Sequence, residues 1–361
     1  MHSRRHPQPE AADAAAIAGG PAAAAARRAS GAWLRTHAPG LLLAGAVAAV
    51  ALALGKAAPL IGAPVIGIVL GIAVRTLRAP GAAFLPGIRY ASRQVLQASI
   101  VALGFGLGLG QVARTGLHSL SVTAATITAA FVAAWALGRA LRVRDDLRLL
   151  IGVGTAICGG SAIAAVTPIV RPDEHDTAFA ISTIFLFNLV AVLLFPALGH
   201  LLHLSDLGFG LWAGTAINDT SSVVAAGYSY SHAAGDYATI VKLTRATLIV
   251  PICLALAMLV AWRERKRGPS DFRLRRVFPW FILWFVAASG ARTLGLVPAA
   301  WLPGLHTAAE GLIVMALTAI GLSADLRRMA ATGARPILLG LGVWAAVALS
   351  SLGVQYAMGQ L

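Results

Sequence analysis

Two stretches of this chain carry the same residues at the same spacing, and both place hydrogen-bonding groups where an apolar helix should run. Residues 154–165 read Gly-Thr-Ala-Ile-Cys-Gly-Gly-Ser-Ala-Ile-Ala-Ala, and residues 214–225 read Gly-Thr-Ala-Ile-Asn-Asp-Thr-Ser-Ser-Val-Val-Ala. They align without a gap through Gly154/Gly214, Thr155/Thr215, Ala156/Ala216, Ile157/Ile217, Ser161/Ser221 and Ala165/Ala225. In the first copy Gly159-Gly160 weakens a helix. A helix restarting there offers free N–H groups and a positive dipole end, which suit an anion. Ser161 adds a hydroxyl donor, and Cys158 lies beside it in the same breaker motif. Taken alone, Gly-Gly-Ser also suits close helix packing in a membrane. The duplication favours a binding site, because paired discontinuous helices at membrane depth build many solute sites.

The second copy is more polar. Asn218, Asp219, Thr220, Ser221 and Ser222 interrupt an otherwise apolar run. An ionisable residue inside a membrane segment calls for a named partner. For Asp219 the candidates are Lys242 and Arg245, spaced i, i+3 on one face of the next helix. The expected assignment gives solute binding to Cys158, Gly159, Gly160, Ser161, Asn218, Thr220 and Ser221. Asp219, Lys242 and Arg245 form a coupling or gating element. Glu310, after His306 and Thr307, opens a later segment and is expected at a helix N-terminus. The nine histidines lie in the tail or near segment ends, so no metal site is expected.

The elements that must hold these residues follow from composition. The chain has 361 residues, 58% hydrophobic and 12% charged, about half the charge of a soluble domain. Eleven apolar segments run near 39–56, 59–76, 94–112, 119–140, 149–170, 177–202, 206–228, 238–262, 277–296, 307–324 and 336–358. This describes an all-α polytopic membrane protein of about 9–11 transmembrane helices, two of them broken or re-entrant. Residues 1–38 read as a disordered basic cytoplasmic tail, and residues 39–358 as one transmembrane domain.

The formal charge of +15 sits in short loops, which fits topology and lipid headgroups and not nucleic acid. The arginine clusters at 75–93, 139–148, 263–276 and 327–335 all fall on one side when the N-terminus is cytoplasmic. Segments 149–170 and 206–228 either both span or both turn back, since changing them together leaves every basic loop in place. The cysteines, Cys158 and Cys253, are both in apolar segments and give no disulfide framework. No ATPase or dinucleotide motif is present, and no cofactor is expected.

At Gly154–Ala165, at Gly214–Gly227 and at Val241-Lys242-Leu243-Thr244-Arg245, the chain resembles the YeiH-like sulfate exporter family of bacterial inner-membrane proteins. The resemblance covers roughly residues 35–358. It implies kinship with the cation–proton antiporter and bile-acid symporter group, and a core of broken helices moving against a scaffold. It also implies export of a sulfate-like anion. Members often carry His-Asp where this chain has Asn218-Asp219, so a proton-coupling role for that histidine does not transfer.

The expected function is therefore secondary transport of a small anionic solute across the inner membrane, coupled to a proton or another cation. A homodimer is compatible with this. A passive anion channel is one alternative. An intramembrane serine hydrolase is another, since Gly159-x-Ser161 is similar to the nucleophile motif of rhomboid-type proteases. That chemistry needs a general base beside Ser161, so a non-enzymatic protein is expected.

Overall fold

The computed structural model describes residues 21–58, 62–263, 279–324 and 333–361. Among them every regular element is helical. In chain order they are α1 (Pro21–Ala57), α2 (Ala63–Leu77), α3 (Leu85–Gly104, with a π-helical turn at Ala91–Val95), α4 (Leu109–Ala140), α5 (Asp145–Ala156), α6 (Gly160–Val170) and α7 (Glu174–Leu201). These are followed by α8 (Asp206–Ala216), α9 (Thr220–Tyr230), α10 (His232–Thr247), α11 (Ile249–Arg263), α12 (Phe281–Thr293), α13 (Leu302–Ser323) and α14 (Ala334–Ala357). Among the described residues six stretches are long and apolar enough to cross a bilayer: Ala32–Ala57, Leu109–Ala140, Glu174–Leu201, His232–Leu256, Ala299–Ser323 and Ala334–Ala357. The chain is an all-α, multi-pass membrane protein.

Three boundaries differ from the sequence expectation. Helix α1 begins at Pro21, inside the stretch read as tail, because alanines 22–26 are the strongest helix formers. Residues 1–20 lie outside the described residues, as do the basic loops at 264–278 and 325–332. Helix α3 ends at Gly104 and does not continue to 112, since Gly104, Gly106, Gly108 and Gly110 follow in quick succession. Helix α13 starts at Leu302 with Pro303 in its first turn, where proline is favoured. Glu310 therefore lies two turns inside that helix and not at its N-terminus.

The two repeated motifs are both helical hairpins. Arg144, just before α5, donates to Asp173 at 2.8 Å and Asp176 at 2.5 Å, just beyond α6. The outer ends of α5 and α6 are thus at one level. The hydrogen bond to Asp176, then the one to Asp173, holds the Arg144 guanidinium above its usual pKa. In the second hairpin, Asp206 opens α8 and accepts from Ser231 Oγ at 2.7 Å, just after α9. Helix α7, 28 residues long, separates the two open ends by about 42 Å. The hairpins therefore enter from opposite ends of the molecule, and the all-spanning alternative is set aside.

The helices pack as two groups. Helices α1, α2, α3, α12 and α13 form one, while α4 to α11 and α14 form the other. Within the first, Gly71 and Gly321 let α2 and α13 touch backbone to backbone; a Cβ on Gly71 would lie 2.4 Å from Thr318 O. The groups meet where α9 packs on α2 and α13, through Val65, Ile68, Val224, Ala225, Ile313 and Leu317, and where α12 meets α4, with Leu109 N donating to Thr293 Oγ1 at 2.8 Å.

Candidate functional site

The hairpin tips meet beside α10. Helix α8 runs parallel to α10, with Gly210 against Ala234 and Tyr237, and Gly214 against Val241. Helix α9 returns antiparallel, with Gly227 against Gly235. This brings the second break to the level of Lys242 and Arg245, both wholly buried.

Their partners are backbone carbonyls. Lys242 Nζ donates to Ile157 O and to Ile217 O, each at 2.9 Å. Arg245 donates through Nε to Ala156 O at 2.7 Å, through Nη2 to Thr155 O at 2.7 Å, and through Nη1 to Thr215 O. Thr155 with Thr215, and Ile157 with Ile217, are equivalent positions of the duplicated motif. Two cations on one helix thus bind the carbonyl ends of α5 and α8 at once. Those carbonyls are the groups a helix leaves unpaired, and they carry the negative end of its dipole. In a water-poor interior this is the partner a buried ammonium or guanidinium needs.

The restarting helices differ. Asp219 is the N-cap of α9, accepting from Ser222 N at 3.1 Å and from Ser221 Oγ. Asn, Asp, Ser and Thr are the residues that stop and restart helices in this way. Helix α6 has no such cap: its N-cap is Gly159, at φ 67° and ψ −130°. The N–H groups of Gly160 and Ser161 meet no acceptor among the described residues. The two restarts face each other, because a Cβ on Gly159 would lie 3.4 Å from Asp219 Cβ and 3.7 Å from Asn188 Nδ2. Gly159→Ala combines this crowding with a backbone conformation that L-residues avoid. It is expected to lower stability by about 1–3 kcal/mol, read as a lower midpoint in a detergent thermal melt.

Two amides complete the site. Asn188, on α7, is 3% exposed and Asn218 is 1% exposed. All four of their side-chain polar atoms lack a hydrogen-bond partner. An unpaired buried amide is costly, so two together mark a place where a polar guest or water belongs.

A family model described as conserved hypothetical protein 698 matches residues 39–340. A UPF0324 membrane protein of Streptococcus pyogenes is 44% identical over 329 residues, covering 89% of this chain and 97% of the relative. One of Fusobacterium nucleatum is 39% identical over 340 residues, covering 89% and 98%. The chain belongs to the UPF0324 membrane protein family. No solved structure matches it.

In this UPF0324 protein the structure brings together most of the residues singled out from sequence. Gly159, Gly160, Asn218, Asp219, Lys242 and Arg245 surround the hairpin tips. Cys158 is buried in the first break with a free thiol, at the position equivalent to Asn218. Thr220 is half-buried at the start of α9, and Ser221 is engaged by Asp219. Ser161 is exposed and makes no hydrogen bond to a histidine among the described residues.

The expected pairing of Asp219 with Lys242 or Arg245 needs correction. No ion pair joins them among the described residues. Five carbonyls occupy the cations, and the α9 N-terminus occupies the carboxylate. A polar chain was also missed: Gln355 Nε2 donates to Ser351 Oγ at 3.0 Å, which lies 2.7 Å from Thr215 Oγ1 beside the second break. Asn188 escaped notice too, although it is the lone amide in the apolar segment 177–202.

Proposed function

We propose that this protein is a secondary transporter of a small anionic solute, held where the two hairpin tips meet. The observation carrying this reading is the uncapped N-terminus of α6 beside the unpartnered amides of Asn188 and Asn218. Free N–H donors and a positive dipole end select an anion. The amides, with Ser161, supply further donors of the kind a sulfate-like oxyanion or a sulfonate accepts. Lys242 and Arg245 do not reach the solute directly; they neutralise the carbonyl ends that would otherwise repel it.

The two hairpins form an inverted pair, the arrangement from which alternating access follows when one helix group rocks against the other. The apolar seam of α9 against α2 and α13 is the surface for that motion. Asp219 brings a carboxylate to the hairpin tips, and it serves coupling to a proton or cation. The protein then sits in the bacterial inner membrane with its N-terminus cytoplasmic, an orientation that the arginine distribution supports. It gives the protein no catalytic role.

The test uses purified protein in liposomes with sulfate or a small sulfonate outside and an imposed proton gradient. Saturable accumulation above the equilibrium level is expected, and it falls at least tenfold in Asn188→Leu. Flux only down the solute's own gradient would establish a channel instead. No flux of any small anion would reject the reading.

A further inference from the structure

Away from the hairpin tips, a second polar cluster joins the two helix groups. His232 is the first residue of α10, at the open end of the α8/α9 hairpin. His306 and Glu310 lie one turn apart on α13, in the other group. Glu310 Oε1 is 2.9 Å from His232 Nδ1 and 3.2 Å from His306 Nδ1. One ligand atom from each residue lies within 4.8 Å of the other two. The rings are tilted at 56° with centroids 5.4 Å apart, so they are not stacked on one another.

These contacts are close without being hydrogen bonds. Glu310 Oε1 is shielded from solvent and has no hydrogen-bond partner among the described residues. Both imidazole nitrogens therefore approach it off the line of a ring N–H, as ligands of one ion approach each other. Zinc–nitrogen and zinc–oxygen bonds of about 2.0–2.1 Å set the edge of a zinc tetrahedron at about 3.3 Å. The two nitrogen–oxygen separations lie near that length. Two imidazoles and a carboxylate form a donor set that zinc favours, leaving the fourth position to water.

We propose that His232, His306 and Glu310 bind a zinc ion that pins α10 to α13. A metal bridging the two groups resists any movement that separates them at this end. The binding claim stands by itself. The consequence that zinc arrests transport rests on the function proposed above.

The experiment uses the full chain, purified in detergent without a polyhistidine tag and stripped with chelator. Zinc is titrated by calorimetry into the wild type and into His306→Ala, Glu310→Gln and, as a control, His203→Ala. One saturable ion per chain is expected. Affinity should fall at least about tenfold in His306→Ala and Glu310→Gln, and hold in His203→Ala. Absence of saturable binding, or equal affinity in all four proteins, overturns the site.

Hydrogen exchange tests the bridge. Zinc should slow exchange at residues 232–236 and 302–310 together in the wild type and leave Glu310→Gln unchanged. Slowing at one segment alone overturns the pinning. Neither measurement requires transport, so failure of the zinc site and failure of the transport reading are separable. In liposomes with measurable flux, zinc should inhibit the wild type and spare Glu310→Gln. Equal inhibition of both would overturn the arrest.

Discussion

Replacing Arg245 by leucine is expected to destabilise the protein by roughly 3–5 kcal/mol, the range found when one member of a buried charged arrangement is removed. The guanidinium satisfies Thr155 O, Ala156 O and Thr215 O, and leucine leaves all three without a donor in a dry interior. Each unmet group has a desolvation penalty of about 1–3 kcal/mol. Because the carbonyls belong to both hairpins, the loss separates the tips as well as weakening each end. Arg245→Lys should rescue little, since one ammonium lacks the planar fork that spans these acceptors. The measurement is the thermal midpoint of detergent-purified protein, with the monodisperse fraction after extraction. A leucine variant melting within about 2 °C of wild type would show that the cation is not the clamp. Lys242→Ala should follow the same direction with two carbonyls freed, so lost activity in that variant reports folding before it reports transport.

Asp219→Asn is expected to have the opposite profile: intact folding with transport abolished. Asparagine caps a helix about as well as aspartate, so the bond from Ser222 N survives and the melting midpoint should stay within about 2 °C. What disappears is the carboxylate that faces the first break. If Asp219 couples solute movement to a proton or cation, gradient-driven accumulation should drop to the background of empty liposomes. Asp219→Ala makes the contrast, because it removes the cap as well and should lower stability by about 0.5–2 kcal/mol. Wild-type accumulation by Asp219→Asn would confine the residue to capping and move coupling elsewhere.

These two variants divide residues that looked alike in the sequence. Asp219, Lys242 and Arg245 read as a charge pair plus a spare cation, since opposite charges at membrane depth usually find each other. The fold buries both cations and pairs them with helix-end carbonyls. That outcome follows from geometry: a hairpin turning back at mid-depth must expose carbonyls at the end of its first helix and N–H groups at the start of its second. The cations go to the former and the carboxylate to the latter.

The amino-acid sequence by itself determined that the chain is a set of apolar membrane helices, and it marked 154–165 and 214–225 as the two stretches where a helix is weakened. Both conclusions rest on local physics: apolar length, glycine's weak helix preference, and the capping habit of Asn, Asp, Ser and Thr. A family resemblance was legible in the motif residues, and the match to UPF0324 membrane proteins supports it at that coarser level. Only the tertiary structure decided that both breaks turn back, that they arrive from opposite ends, and that α10 clamps them together. It also decided that His232 meets His306 and Glu310 across two helix groups. Such contacts join residues tens of positions apart, and no periodicity along one segment encodes which face of a distant helix will stand opposite.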